Sequence, residues 1–414
     1  MKATSLGSHH VLVVFHTTFP ETRGGINVMI GALAHAWTRQ GIRVSLFAPA
    51  PWEQKGLSVE RFGSITLYKM RLRPYRDSRR PLRGLLGFLA ELPVTLWRLH
   101  RLMRRERVDV VHFHTPRDYQ CVFQLLSLLG GPPGVLTFHG TDALDFARNG
   151  PNAQGMLRWI VGRMAALTAV ARHYARQIEA AHPGLAPVRV IPNGIPPIEE
   201  ESVEPCGVDL PQRFWVMVGW IEPPKAQDVA VRAWGEVLKH DRDVHLVIVG
   251  DQPFVQPGRP YYPGFFEQVR QLAQDQGAGS RIHWVGSLPR GQVLSVLQRA
   301  QGLIFPTHRE GMPYVLLEAG AVGLPVVCNR IPPFTDLLEP DRTGVLTPDS
   351  DHLALAEAVL RLEADPARRR AMGLAWREQV RREYSREAMA EGYLVLFREL
   401  TGKDFGRDRR EAGS

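Results

Sequence analysis

At 414 residues the chain is too long for one hydrophobic core and suits two domains of roughly 200 residues each. With 44% hydrophobic and 22% charged residues it has an ordinary globular composition. It offers no run of roughly 18 apolar residues to serve as a membrane-spanning helix. The net charge of +9 is localised: residues 69–107 hold twelve Lys or Arg against three acids, a window charge equal to that of the whole chain. Cys121, Cys206 and Cys328 lie far apart without a C-x-x-C, which excludes a disulfide framework or a zinc ribbon and favours a reducing compartment. Residues 1–10 are polar and the apolar run 11–15 is shorter than a signal-peptide core, so a cytoplasmic protein is expected.

In chain order, a first strand covers 11–16 and is followed by a loop carrying Arg23, Gly24 and Gly25. A helix over about 27–40 ends at Gly41, a residue suited to the left-handed position after a helix. A second strand follows at 42–47. Within the basic window, Leu85, Phe88, Leu89, Leu92, Leu96, Leu99 and Leu102 recur at helical spacing, interrupted by Pro93. A basic amphipathic segment fits an anionic membrane surface. A helix packed on its own domain with its arginines in water fits equally well. Nucleic acid fits poorly, because no aromatic interleaving or known binding module accompanies the arginines. Strands at 108–114 and 134–140 each carry histidine near their ends, and strands at 167–170 and 188–191 complete six or seven parallel strands. Residues 192–197 break the pattern, and the acidic stretch 199–205 reads as a linker. Strand signals restart at 214–219, 245–250, 282–286, 303–305 and 325–327, and 352–400 is helical by pattern. The fold class expected is α/β: two Rossmann-like doubly wound parallel-sheet domains, 1–195 and 206–385.

The most informative segment is 306–320, where Glu310 and Glu318 are separated by seven residues. Buried-strand runs on both sides make it one βαβ unit, whose loops lie at the carboxyl edge of a parallel sheet, where such sheets bind ligands. Glu310 falls in the loop and Glu318 on the helix about two turns later. On spacing alone, two solvated helix charges explain the pair as well. Gly311, Pro313, Ala319 and Gly320 favour close approach of a ligand to the backbone. Arg23-Gly24-Gly25 opens a helix with free N–H groups suited to a phosphate, yet it is not G-x-G-x-x-G, so a nicotinamide dinucleotide is disfavoured. His139 follows a buried strand in a loop with Gly140 and Asp142. His112 and His114 alternate onto one strand face, as a site wall or as core partners. No His, Asp, Glu or Cys cluster has metal-ligand spacing.

The 306–320 segment resembles the E-x7-E element of the retaining family-4 glycosyltransferases, the group that includes glycogen-synthase-like, sucrose-synthase-like and many bacterial glycan-assembly enzymes. The resemblance implies the GT-B fold, with two Rossmann-like domains facing across a cleft and a last helix, about 386–400, packing back on the first. It implies transfer of a hexose from a UDP- or GDP-sugar to an acceptor hydroxyl with retained configuration, in cell-surface glycan or glycolipid assembly. The partners implied are a nucleotide-sugar donor and a carbohydrate or lipid-linked acceptor, with no required metal. By the same resemblance Glu318 accepts from the ribose hydroxyls, Glu310 lies at the sugar, His139 binds sugar hydroxyls, and Lys225 with the Gly24 and Gly25 amides stabilises the leaving diphosphate. Val285 and Gly286 face the base, and residues 342–346 resemble the family's downstream turn, a structural element. Asn193, Arg309, Gly311, Met312 and Pro313 join the substrate-binding set. The pattern departs at Trp220, where the family commonly has Arg, and at Ala226, where it has Gly; Arg23 and Arg309 are the candidate replacements. A catalytically silent nucleotide-sugar-binding partner and a nucleotide-sugar epimerase on the same fold stay open.

Overall fold

A computed structural model describes residues 9–15, 25–50, 54, 56–74, 81–148, 155–256 and 259–406. The chain divides into two compact units, Met1–Gly194 with Arg386–Ser414, and Ile195–Ser385.

The first unit is built on β1 (His10–Val14), β2 (Arg43–Pro49), β3 (Leu57–Phe62), β4 (Ile65–Met70), β5 (Val110–His114), β6 (Gly134–Phe138), β7 (Ala166–Ala169) and β8 (Val188–Val190). They form one sheet in the order β3-β4-β2-β1-β5-β6-β7-β8, in which β3 alone is antiparallel to its neighbour. Strands β1, β5, β6 and β7 are buried along their whole length, as a parallel sheet covered on both faces requires. The helices are α1 (Gly25–Arg39), α2 (Pro81–Glu106), α3 (Cys121–Leu128), α4 (Thr141–Arg148), α5 (Gly155–Val161) and α6 (Arg172–Ala181). The β3–β4 hairpin escapes the sequence reading because β3 is a half-exposed edge strand without a continuous apolar run. The expected break at Pro93 is absent: α2 runs through it for 26 residues. The proline lies on the exposed side, where water can take the carbonyl its missing N–H leaves.

The second unit contains β9 (Phe214–Val218), β10 (His245–Val249), β11 (Phe254–Gln256), β12 (Arg259–Pro260), β13 (Ile282–Gly286), β14 (Leu303–Phe305), β15 (Val326–Asn329) and β16 (Val345–Thr347). Its main sheet has the order β13-β10-β9-β14-β15-β16 and is parallel throughout. The helices are α7 (Gln227–His240), α8 (Phe265–Asp275), α9 (Arg290–Arg299), α10 (Tyr314–Ala321), α11 (Pro332–Leu337), α12 (His352–Ala364) and α13 (Pro366–Glu383). Of residues 342–346, expected as a turn, only the first part is one: Val345 and Leu346 already belong to β16, where they pair with Val327 and Cys328.

The acidic stretch 199–205 is no free linker. Glu201 pairs with Arg290 at 2.9 Å, Glu199 with Arg377 at 3.4 Å, and the Glu204 N–H donates to the Gly291 carbonyl at 3.3 Å, all within the second unit. The last helix, α14 (Arg386–Thr401), belongs to the first unit. Trp37 Nε1 of α1 donates to its Ala390 carbonyl at 3.2 Å, and Tyr393 and Phe397 pack on Trp37 and His112.

Candidate active site

In the second unit the strand order reverses between β9 and β14, and the chain leaves these neighbours toward opposite sides of the sheet. The loops that follow them are tied together. Thr307 Oγ1 and the His308 N–H both donate to the Pro224 carbonyl, at 2.8 and 2.9 Å. This brings Lys225, at the end of the 3-10 turn Pro223–Lys225, against Glu310. Lys225 Nζ and Glu310 Oε1 form an ion pair with both side chains largely buried, and the ammonium also lies 5.6 Å from the centroid of the Phe305 ring. Glu222 feels the same charges: burial raises its carboxyl pKa and Glu310 adds to the rise, while Lys225 and Arg309 oppose it. Two carboxylates and two cations therefore meet at one switch point. Asn329 Nδ2 braces the Glu310 loop by donating to the Pro306 carbonyl and to Asp349 Oδ1, both at 2.7 Å.

Glu318 on α10 is 7% exposed, and its Oε1 accepts from Arg290 Nε at 2.8 Å. Arg290 Nη1 donates in turn to Glu201 Oε1 at 2.9 Å. Burial works against the charge of Arg290, but the two carboxylates outweigh it and its pKa is raised. The expected openness at Ala319 and Gly320 is overturned, since both pack inward. A Cβ on Gly320 would collide with Val380 and Trp376 of α13, and Trp376 Nε1 donates to the Leu316 carbonyl at 2.9 Å. That glycine serves helix packing. Close backbone approach occurs instead at the strand ends, where the Gly219 N–H donates to the Val249 carbonyl at 2.9 Å and the Gly250 N–H to the Gly286 carbonyl at 2.8 Å. Any Cβ on Gly250 would strike the Gly219 carbonyl oxygen.

In the first unit, His139 follows β6, and its Nε2 forms a ring-to-ring hydrogen bond of 3.0 Å with Nδ1 of the fully buried His114. The carboxylate of Asp142 fastens the loop by accepting from the N–H groups of His139, Gly140 and Ala143 at 2.9, 2.8 and 3.0 Å. Burial nevertheless raises its pKa to about 6, against the opposing pull of those bonds. His112 is a core residue. Its Nε2 meets Thr137 Oγ1 at 2.8 Å, and Thr137 Oγ1 also reaches Thr168 Oγ1 at 2.7 Å and the Tyr393 hydroxyl at 3.0 Å. Burial, with His139 adding a little, pushes His112 down to about 3, so it is neutral near pH 7. Directly after β5, at this sheet's own switch point, Thr115 sits at φ 63°, a conformation that costs a β-branched residue roughly 1–3 kcal/mol.

Two family descriptions match the chain: Glycosyltransferase Family 4 over residues 23–198 and Glycosyl transferases group 1 over 199–379. The alpha-maltose-1-phosphate synthase of Mycolicibacterium smegmatis is 30% identical in an alignment covering 77% of this chain and 86% of that protein. The chain belongs to the family-4 glycosyltransferases. The D-inositol 3-phosphate glycosyltransferase of Corynebacterium diphtheriae is 26% identical over 94% of each chain. The sucrose-phosphate synthase of Thermosynechococcus elongatus superposes with a TM-score of 0.71 at 20% identity, covering 95% of this chain and 99% of that one. The two parallel-sheet units thus have the GT-B architecture of this enzyme class.

Within this glycosyltransferase, the residues singled out from sequence separate by unit. Lys225, Glu310, Glu318, Arg309, Gly311, Met312, Pro313, Val285 and Gly286 lie in the second, and His139 and Asn193 in the first. Arg309 is exposed and Met312 buried; Pro313 caps α10. Val285 and Gly286 end β13, with Gly286 at φ 71°. Asn193 is buried beyond β8, in a turn whose Gly194 N–H meets Met389 Sδ at 3.2 Å. Gly25 opens α1 and is exposed, whereas Arg23 and Gly24 fall outside the described residues. Trp220, where the resemblance led to an expected arginine, is 43% exposed, and its carbonyl accepts from Gln227 Nε2 at 2.7 Å. Ala226 keeps the left-handed conformation, φ 58°, that a glycine would suit. Arg290, Glu201, Asn329 and Thr115 were missed. The one sequence signal for Arg290 is its place at the start of the helix after β13. Among the described residues no three His, Cys, Asp or Glu side chains are grouped to hold a metal ion.

Proposed function

We propose that this glycosyltransferase moves a hexosyl group from a nucleoside diphosphate sugar to the hydroxyl of a carbohydrate or lipid-linked acceptor, with retention of configuration, from the cytoplasmic side of the membrane. The observation that carries the reading is the largely buried Lys225–Glu310 pair at the switch point of the second unit. A diphosphate entering there takes the ammonium from Glu310, leaving the carboxylate to face positive charge that develops at the sugar carbon. As the bond from that carbon to the diphosphate oxygen breaks, Lys225 and Arg309 balance the growing negative charge. Preorganised donors of this kind are worth roughly 3–4 kcal/mol each. The acceptor hydroxyl attacks from the side the diphosphate leaves, and its proton passes to the departing phosphate oxygen. Glu318, pinned by Arg290, is the acceptor for the ribose hydroxyls, and His139, steadied by His114, is assigned to the sugar hydroxyls. The names of the two relatives above, an inositol phosphate transferase and a sugar phosphate synthase, support a polyol or sugar hydroxyl as acceptor. Loss of the family's arginine at Trp220 favours a second reading, a nucleotide-sugar binder without catalysis. Calorimetric titration with UDP, GDP and ADP, repeated on Glu318→Ala and followed by donor turnover, tests both. Tight binding of one nucleotide, weakened in the variant and joined to transfer, supports the enzyme. Binding without turnover supports the silent partner, and binding of no nucleotide sinks both.

A further inference from the structure

The basic helix α2 is apolar on two opposite sides, which its sequence periodicity concealed. Phe88, Leu99, Leu102 and Met103 are buried against the first unit. Of the other helically spaced leucines, Leu85 and Leu89 point outward, and Leu92 and Leu96 are half-buried. On the opposite side Leu82, Leu86, Leu89, Pro93 and Trp97 follow at three- and four-residue steps, a stripe about 22 Å long. Leu82 is 77% exposed, Leu86 68% and Trp97 58%. Among the described residues eighteen large apolar side chains are exposed, and six of them lie on this one helix. Such a concentration marks an interaction surface, whereas apolar residues scattered singly would not.

Charge settles the kind of partner. Arg98, Arg101, Arg104 and Arg105 are exposed on the C-terminal part of the same helix, and Arg83 is exposed near its start. Both acids of α2 have basic partners: Glu91, its side chain 32% exposed, is held by Arg71 and Arg73 at 2.9 and 2.8 Å, and Glu106 is half-buried near Arg43 at 3.7 Å. The charge this helix offers to a partner is therefore that of its arginines, since both of its acids are already paired. The Arg101 guanidinium lies 5.4 Å from the Trp97 ring centroid, joining the end of the stripe to the basic cluster. A second copy of the chain is a poor cover. Antiparallel pairing would lay arginines over leucines, and parallel pairing would set arginines against arginines. An anionic bilayer accepts both halves, with acyl chains under the leucines and phosphates beside the arginines. No described helix is long and apolar enough to cross a membrane, so α2 would lie in the interface plane.

We propose that the exposed side of α2 docks this enzyme onto an anionic lipid surface, with Leu82, Leu86, Leu89 and Trp97 inserted below the headgroups. The proposal stands independently of the transfer chemistry. Purified full-length protein is floated with vesicles of phosphatidylcholine alone, or with about 30% phosphatidylglycerol, at roughly 50 and 500 mM salt. The expected result is binding to the anionic vesicles at low salt, weakened at high salt. Leu86→Glu/Trp97→Glu should abolish it, and Arg98→Gln/Arg101→Gln/Arg105→Gln should weaken it on the order of 100-fold. All five side chains are exposed, so nucleotide titration and circular dichroism should match wild type, which separates failed docking from a failed fold or donor site. The proposal is overturned if wild type stays with the unbound fraction at low salt, or if the Leu86→Glu/Trp97→Glu protein floats as well as wild type. It is equally overturned by a dimer in light scattering that those two substitutions dissolve.

Discussion

Replacing Arg290 with Met would test how Glu318 is held in place. The carboxylate is 9% exposed in its side chain and accepts from Arg290 at 2.8 Å, while the guanidinium, 28% exposed, also holds Glu201 at 2.9 Å. Removing the arginine strands one carboxylate where little water reaches. Breaking a buried pair from one side costs about 3–5 kcal/mol, and the partial exposure of Arg290 puts the expected loss near the lower end. Glu318→Gln removes the charge that needs neutralising, so Arg290→Met/Glu318→Gln should lose less than the two single losses combined, by at least about 1.5 kcal/mol. Urea denaturation followed by two probes measures this, since two compact units can unfold separately. Nucleotide affinity of Arg290→Met should fall by roughly tenfold or more, because about 1.4 kcal/mol of positioning corresponds to that factor. If the two single losses add to the double within about 0.5 kcal/mol, the carboxylate was never dependent on the arginine and the argument fails.

Lys225→Met should lower the transfer rate roughly 10²- to 10³-fold with a smaller change in nucleotide affinity; an unchanged kcat would remove Lys225 from the chemistry. Asp142 carries a pH prediction. Its folded pKa of about 6 stands above the ordinary 3.8, so its contribution to stability is full below pH 3.8 and is lost as pH rises through 6. Relative to Asp142→Asn, wild type should lose up to about 3 kcal/mol between those limits, and a flat difference would contradict the burial argument. Ala226→Gly should raise stability by about 0.5–1 kcal/mol. The left-handed φ costs alanine about 1–2 kcal/mol, and the extra freedom of unfolded glycine takes back part of that. A lowered melting temperature would argue against strain at this position.

The fold was legible where burial is two-sided. Runs such as those of β1, β6, β9 and β10 are continuous stretches of apolar residues, and glycine-bearing loops between them mark parallel α/β units. The β3–β4 hairpin was not legible, since one of its strands is a half-exposed edge. In α2 the heptad-like spacing was real yet misleading. Seven leucine and phenylalanine positions satisfied a one-face reading, while packing divided them between the core and the solvent.

Sequence by itself determined the spacing of Glu310 and Glu318, the strand and helix that carry them, and the basic character of residues 69–107. These follow from local periods of 2 and 3.6 and from turn chemistry, which operate within a few residues. Tertiary structure alone decided which groups meet. Arg290 reaches Glu318 across 28 positions and Glu201 across 89, and Tyr393 reaches Thr137 across 256. It also decided that Gly320 receives a tryptophan, and that α2 keeps an apolar side open to solvent. No local rule encodes such pairings, because they depend on the strand order that sets which loops become neighbours.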